Sequence, residues 1–152
     1  PGRQSPPRPR QRPRPPGRAA AAELLERALR IEERHFGPDH FEVAITLHAL
    51  ANAHGDLGEP RRKRELLERA LPILERHFGP DHFRVARALH DLANAHGDLG
   101  EPRRNRELLE RALRIEERHF GPDHFQVAIT LHALSNAHGH LGEPWRQREL
   151  LE

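Results

Sequence analysis

Thirteen histidines in 152 residues, together with recurring carboxylates, are the side chains of this sequence best suited to chemistry. His35/His40, His77/His82 and His119/His124 recur as pairs five residues apart, and imidazole is a common zinc ligand. A helical zinc site sets its histidines at i and i+4 on one face. A spacing of five across a Gly-Pro turn does not, and no cysteine completes a ligand set. The pairs therefore read as packing or capping residues copied with their surroundings, and no metal or other cofactor is expected. His138 and His140 lie close together, but His140 is a single-copy change at the position of Asp56 and Asp98.

Nucleophilic chemistry finds no setting either. The absence of cysteine removes thiol nucleophiles and disulfides. Ser5 lies in a proline-rich run, and Ser135 replaces Ala51 and Ala93 at a position expected to be packed between helices. The chain reads as non-enzymatic.

Residues 1–18 hold six arginines, no acid and seven prolines, so they read as a disordered tail sampling polyproline II. Arg10, Pro13 and Pro16 match RxxPxxP, and Pro13, Pro16 and Arg18 match PxxPxR, the form taken by ligands of aromatic-lined proline-binding domains. Any Arg/Pro run produces such matches, and a solubilising leader or linker is the simpler reading. The same arginines could attract phosphate backbones. Taking the six from the 25 basic residues leaves 19 against 23 acidic ones over 19–152, a net of −4, which would repel nucleic acid. No run approaches the roughly 18 apolar residues of a membrane span, and the Arg/Pro start lacks the apolar core of a signal peptide. A soluble, cytoplasmic chain without membrane attachment is expected. Its start at Pro1 and its stop inside a Glu-Leu-Leu-Glu block are those of a fragment or a processed product.

The elements that would position these residues come from a 42-residue period. Glu-Leu-Leu-Glu-Arg-Ala-Leu recurs at Glu23 to Leu29, Glu65 to Leu71 and Glu107 to Leu113, and Gly-Pro-Asp-His recurs at 37–40, 79–82 and 121–124. Such a period signals a stack of modules, each burying its apolar face against its neighbours. Leu24, Leu25, Ala28, Leu29 and Ile31 predict a lone first helix up to Gly37-Pro38, over about 19–36. Asp39 reads as the N-cap of the next, with Glu42 completing a capping box that Asp123 and Gln126 repeat and Arg84 breaks. Pro60 and Pro102 suit first helical positions. Helix pairs are expected over 39–78 and 81–120, with a truncated pair over 123–152. Pro72 replaces Arg30 and Arg114 inside a helix, which predicts a kink or a weakened last turn.

This arrangement resembles the tetratricopeptide repeat, in its kinesin light chain-like variety, over residues 19–152. Leu47, Leu50, Ala51, His54, Gly58, Leu67 and Ala70 match the family pattern in the first full unit, and Leu89, Leu92, Ala93, His96, Gly100, Leu109 and Ala112 match it in the second. His54, His96 and His138 replace its usual tyrosine. Lys63, Asn105 and Gln147 replace a small alanine, so looser packing within each pair is expected.

The resemblance implies an all-α solenoid, a right-handed superhelix of antiparallel helix pairs, whose inner groove binds peptides. Carried over, the groove ladder comprises His48, His90 and His132 and then Asn52, Asn94 and Asn136. Ile45, Arg87 and Ile129 lie near the helix starts, and Asp56, Asp98 and His140 towards the far ends. Asparagine offers donor and acceptor together, so a ladder can grip an extended backbone without demanding a sequence. The same residues would equally suit a solvated face. Family members that clamp chaperone tails use lysine and arginine here, whereas Asp56 and Asp98 suit a partner with some positive charge. A protein-interaction scaffold is the expected role. A regulatory array joined to an enzymatic or motor domain is a further reading, and open ends without polar caps permit self-association. Partner preference is expected where the copies differ, at Glu42/Arg84/Gln126, Ile45/Arg87/Ile129, Ala49/Asp91/Ala133 and Asp56/Asp98/His140.

Overall fold

Glycine-punctuated turns separate six helices in the computed structural model, which describes residues 16–140, 142 and 150. The helices are α1 (Pro16–Phe36), α2 (Phe41–Asp56), α3 (Pro60–Phe78), α4 (Phe83–Asp98), α5 (Pro102–Phe120) and α6 (Phe125–His140). Each packs against its sequence neighbours, most extensively α2 on α3 and α4 on α5, and the main longer-range contact joins α2 to α4. No strand occurs among the described residues. The fold is the all-α helix-pair solenoid that the resemblance implies.

Its core is the apolar stripe of each helix. Val43, Leu47, Leu50 and Ala51 of α2 and Leu66, Leu67, Ala70, Ile73 and Leu74 of α3 are buried, as are Leu89, Leu92 and Leu109 further along. In α1 the counterparts Leu24 and Ile31 are 67% and 57% exposed. Among the described residues α1 packs closely on α2 alone.

Several boundaries correct the sequence reading. The cap of α2 is His40, not Asp39: its imidazole Nδ1 accepts the Glu42 N–H at 3.2 Å. His82 and His124 do the same for Arg84 and Gln126 at 3.1 Å, so no capping box is needed and Arg84 breaks nothing. The acceptor must stand immediately before the helix, and Asp39 is one residue too early. Burial, then the neighbouring Arg84 and His119, hold the His82 pKa below the ordinary histidine value, which favours the neutral ring that can accept. Helix α1 begins at Pro16, so Pro16, Gly17 and Arg18 belong to a helix and not to an extended tail. Proline is tolerated in a first turn, and Arg18 donates to the Asp56 carbonyl at 3.0 Å. Neither proline motif can therefore present its Pro16 or Arg18 as polyproline II; Arg10 and Pro13 lie outside the described residues, as does Gln147.

Helix α3 runs unbroken across Pro72 to Phe78 and matches α5 in length, 19 residues each, so its last turn persists without the Pro72 N–H. The expectation of loose pairing also fails. A Cβ on Gly55 would lie 2.9 Å from Lys63 Cδ, and one on Gly97 would lie 3.0 Å from Asn105 Nδ2. The small residue needed for close approach has moved to the facing helix, and Asn105 uses the space to donate to the Ala93 carbonyl at 2.6 Å.

Repeats are also joined through their turns. The rings of His35, Phe36, His40, Phe41, His77, Phe78, His82, Phe83, His119, Phe120 and His124 form one continuous chain of contacts, with centroids 4.1 to 5.2 Å apart. Phe41 on His77 and Phe83 on His119 carry it from one module to the next. Gly79, at φ 91° and ψ 155°, opens one such turn in backbone territory that only glycine enters freely, and Gly37 and Gly121 open the others.

Candidate functional site

Residues three and four apart share a helix face. Ile45, His48 and Asn52 thus form a stripe on α2, Arg87, His90 and Asn94 one on α4, and Ile129, His132 and Asn136 one on α6. Three open depressions follow these stripes. One of about 350 Å³ is lined by Ile45, His48 and Asn52 with Leu74, Phe83, Arg84 and Arg87. A second, of about 400 Å³, is lined by Arg87, His90 and Asp91 with Phe83, Glu116, Phe120 and Gln126. The third, of about 760 Å³, is lined by Asn94, Asp98, Asn136 and His140, with Lys63 and Asn105 at its side. Asp56, Ile129 and His132 do not line these depressions; Asp56 is exposed at the end of α2, and Ile129 and His132 are exposed on α6.

The stripes are not uniform. His48 Nε2 lies 2.6 Å from Asp91 Oδ2, and Asn52 Nδ2 donates to the same oxygen at 3.4 Å. Burial pushes the Asp91 pKa up, but the His48 hydrogen bond and charge, the Lys63 charge and the Asn52 hydrogen bond together bring it below the ordinary aspartate value. The first His/Asn rung is therefore filled by a carboxylate of the chain itself. One module on, the position equivalent to Asp91 is Ala133. There, among the described residues, Asn94 Nδ2 meets only His90 Nδ1, at 3.4 Å, and His90 Nε2 is buried without a hydrogen-bond partner.

Beside the ladder, the histidines at the tyrosine positions are clipped to the turns that follow them. His54 Nδ1 lies 2.7 Å from Glu59 Oε2, and His96 Nδ1 lies 2.6 Å from Glu101 Oε2. The His96 hydrogen bond leads the causes that hold the Glu101 pKa below the ordinary glutamate value; slight burial opposes it, and the charges of His96 and Arg64 assist.

Sequence reasoning placed the ladder residues on these helices and expected partner preference at Arg84 and Asp91, but it missed Phe83 and Lys63 as lining residues and Asp91 as an occupant. A signal was present. Arg84, Arg87 and Asp91 depart from both flanking copies, and their spacing of i, i+3, i+7 puts all three on one stripe of α4. No group of three or more histidine, aspartate or glutamate side chains among the described residues is placed to hold a metal ion. No helix among them is long and apolar enough to cross a membrane.

A family model described as tetratricopeptide repeat matches residues 18–42, 43–84 and 85–126. Among solved structures, the chain is similar to a Podosopora anserina protein assigned as a kinesin light chain with nearly identical TPR-like repeats. The TM-score is 0.82 at 27% identity, over 88% of this chain and 64% of that one. A single-residue variant of that protein gives a TM-score of 0.82 at 27% identity, over 88% and 63%. BtubC (BKLC) from P. vanneervenii is similar at a TM-score of 0.82 and 24% identity, over 88% and 54%, a likeness of fold alone. The chain thus spans less than two thirds of these structures. No curated protein sequence matches it.

Proposed function

The chain belongs to the tetratricopeptide repeat family, whose arrays mediate protein–protein interaction, and we propose that it is a non-enzymatic scaffold holding an extended peptide or partner helix along α2, α4 and α6. One observation carries this reading: His48 with Asn52, His90 with Asn94 and His132 with Asn136 recur on one stripe of alternate helices, beside a line of open depressions. Asparagine side chains at a regular rise can pair with a peptide backbone. Apolar surface from Ile45, Leu74 and Phe83 would take a side chain between the rungs. At the far end, Asp98 suits a positive group on the partner. The likeness to kinesin light chain repeats, over part of their length, supports a role as the interaction segment of a larger protein.

The test is affinity capture with the full chain, repeated with Asn52, Asn94 and Asn136 all changed to alanine. Circular dichroism should show the helices intact, and the partners held by the groove should be lost. Survival of every captured partner through the triple change would remove the groove from the function.

A further inference from the structure

We propose that the second rung of the groove, His90 with Asn94, is a seat for an acidic side chain of the bound peptide, and that Asp91 fills the equivalent seat one module earlier. This deepens the groove reading and rests on it. The first rung shows what the His/Asn pair does when an acid is within reach: His48 Nε2 and Asn52 Nδ2 converge on a single Asp91 oxygen, at 2.6 and 3.4 Å. The second rung repeats both side chains at the 42-residue spacing, but the acid is replaced by Ala133.

The vacated groups have unused capacity. His90 Nε2, the counterpart of the nitrogen that meets Asp91, is buried with no hydrogen-bond partner among the described residues. Asn94 Nδ2 has only the long contact to His90 Nδ1. An unmet polar atom in a buried setting is unfavourable, so a carboxylate that met His90 Nε2 would relieve that cost, while the exposed Asn94 amide is free to add a second contact. Access comes from both sides, because His90 lines one depression and Asn94 with Ala133 lines the next.

The preference for an acid comes from the donors at the rung and from the Asp91 precedent, not from the net charge of the lining, which holds acids and bases together. Arg87 lines the His90 depression, where Asp91 is engaged by His48 and Asn52, and Glu116 by Thr130 and Gln126. In the other depression Lys63 stands against Asp98. The occupant is thus a peptide with an aspartate or glutamate side chain at this rung. A free carboxyl terminus is not needed.

Two blocked peptides, N-acetylated and C-amidated, test the assignment: one alternates alanine with aspartate and the other alanine with asparagine. Binding to the full chain is measured by calorimetry, and the His90 ring and Asn94 amide are followed by NMR. The aspartate peptide should bind roughly tenfold tighter and move both signals, as one charge-assisted contact implies. The preference should vanish in Ala133→Asp, whose new carboxylate fills the seat from within, and in His90→Ala. Ala133→Asp should also melt no lower than the parent chain, and His90→Ala carries the test if it does. Equal binding of the two peptides, with the groove asparagine signals still moving, overturns the seat and leaves the groove reading standing. If neither peptide moves any groove signal, both fall.

Discussion

His96 at the end of α4 and Glu101 just before α5 are 2.6 Å apart, Nδ1 to Oε2, with the histidine side chain 7% exposed. The contact closes the turn between the two helices, and His54 with Glu59 repeats it between α2 and α3 at 2.7 Å. A glutamate whose folded pKa is depressed stabilises the fold above its unfolded value, and that contribution is lost as pH falls through the folded value. The Glu101 pKa is lowered, so the loss begins below about pH 4.3, the ordinary glutamate value. Melting temperature should therefore fall more steeply in acid for the parent chain than for Glu101→Gln. Parallel profiles would mean that the clip adds nothing.

Asn105 occupies the space that Gly97 leaves, and this sets opposite outcomes for single and double changes. Alanine at a helical glycine gains about 1 kcal/mol of helix propensity. In Gly97→Ala, however, the new Cβ meets Asn105 Nδ2 at 3.0 Å and displaces its 2.6 Å bond to the Ala93 carbonyl. The single change should destabilise by about 1 kcal/mol, the roughly 2 kcal/mol cost of leaving the partly buried Asn105 amide unpaired less the propensity gain. Adding Asn105→Ala should restore stability to the parent level or above it. Urea denaturation of the two variants decides it; additive losses would show that the glycine is not there for Asn105.

Much of the architecture was legible because Gly-Pro turns and the Pro60 and Pro102 helix starts punctuate near-identical copies, which set helix ends to within a residue or two. Local chemistry was less so. Asp39 and His40 can both accept a hydrogen bond, and only the placement of the helix start chooses between them. The absence of alanine at Lys63 and Asn105 was visible, but its compensation lies eight residues earlier on the facing helix, at Gly55 and Gly97. The ladder could be listed from its positions. That Asp91 closes one rung required two helices from different modules to be brought together, which a pattern within one module does not specify.

The Asp91 closure makes its own prediction. Asp91 and His48 are 21% and 15% exposed at their side chains, so their contact is partly shielded from solvent. Alanine at either position should destabilise the chain, and a double-mutant cycle should return a coupling of about 1–2 kcal/mol at neutral pH. The Asp91 pKa is depressed in the folded chain, so the coupling should be full above the ordinary aspartate range and fade in acid. Additive single effects would show that the two side chains merely lie side by side.

Glu116 and Thr130 form a buried polar pair that the middle module replaces with an apolar one. Thr130 Oγ1 donates to Glu116 Oε2 at 2.5 Å, Gln126 Nε2 reaches the other oxygen at 3.4 Å, and Glu116 is 2% exposed. The equivalent positions hold Leu74 and Ala88, also buried. Thr130→Ala removes the shorter contact from a buried carboxyl group and should destabilise by about 2–3 kcal/mol. Glu116→Leu should be milder, since the Thr130 hydroxyl keeps the Gln126 carbonyl at 3.4 Å as an acceptor. The double change recreates the middle-module pair and should lie within about 1 kcal/mol of the parent chain or above it, because well-packed apolar residues commonly replace buried polar pairs without loss. Chemical denaturation of all three variants measures the cycle. A double variant as unstable as the sum of its parts would mean that the two positions do not pack against each other as Leu74 and Ala88 do.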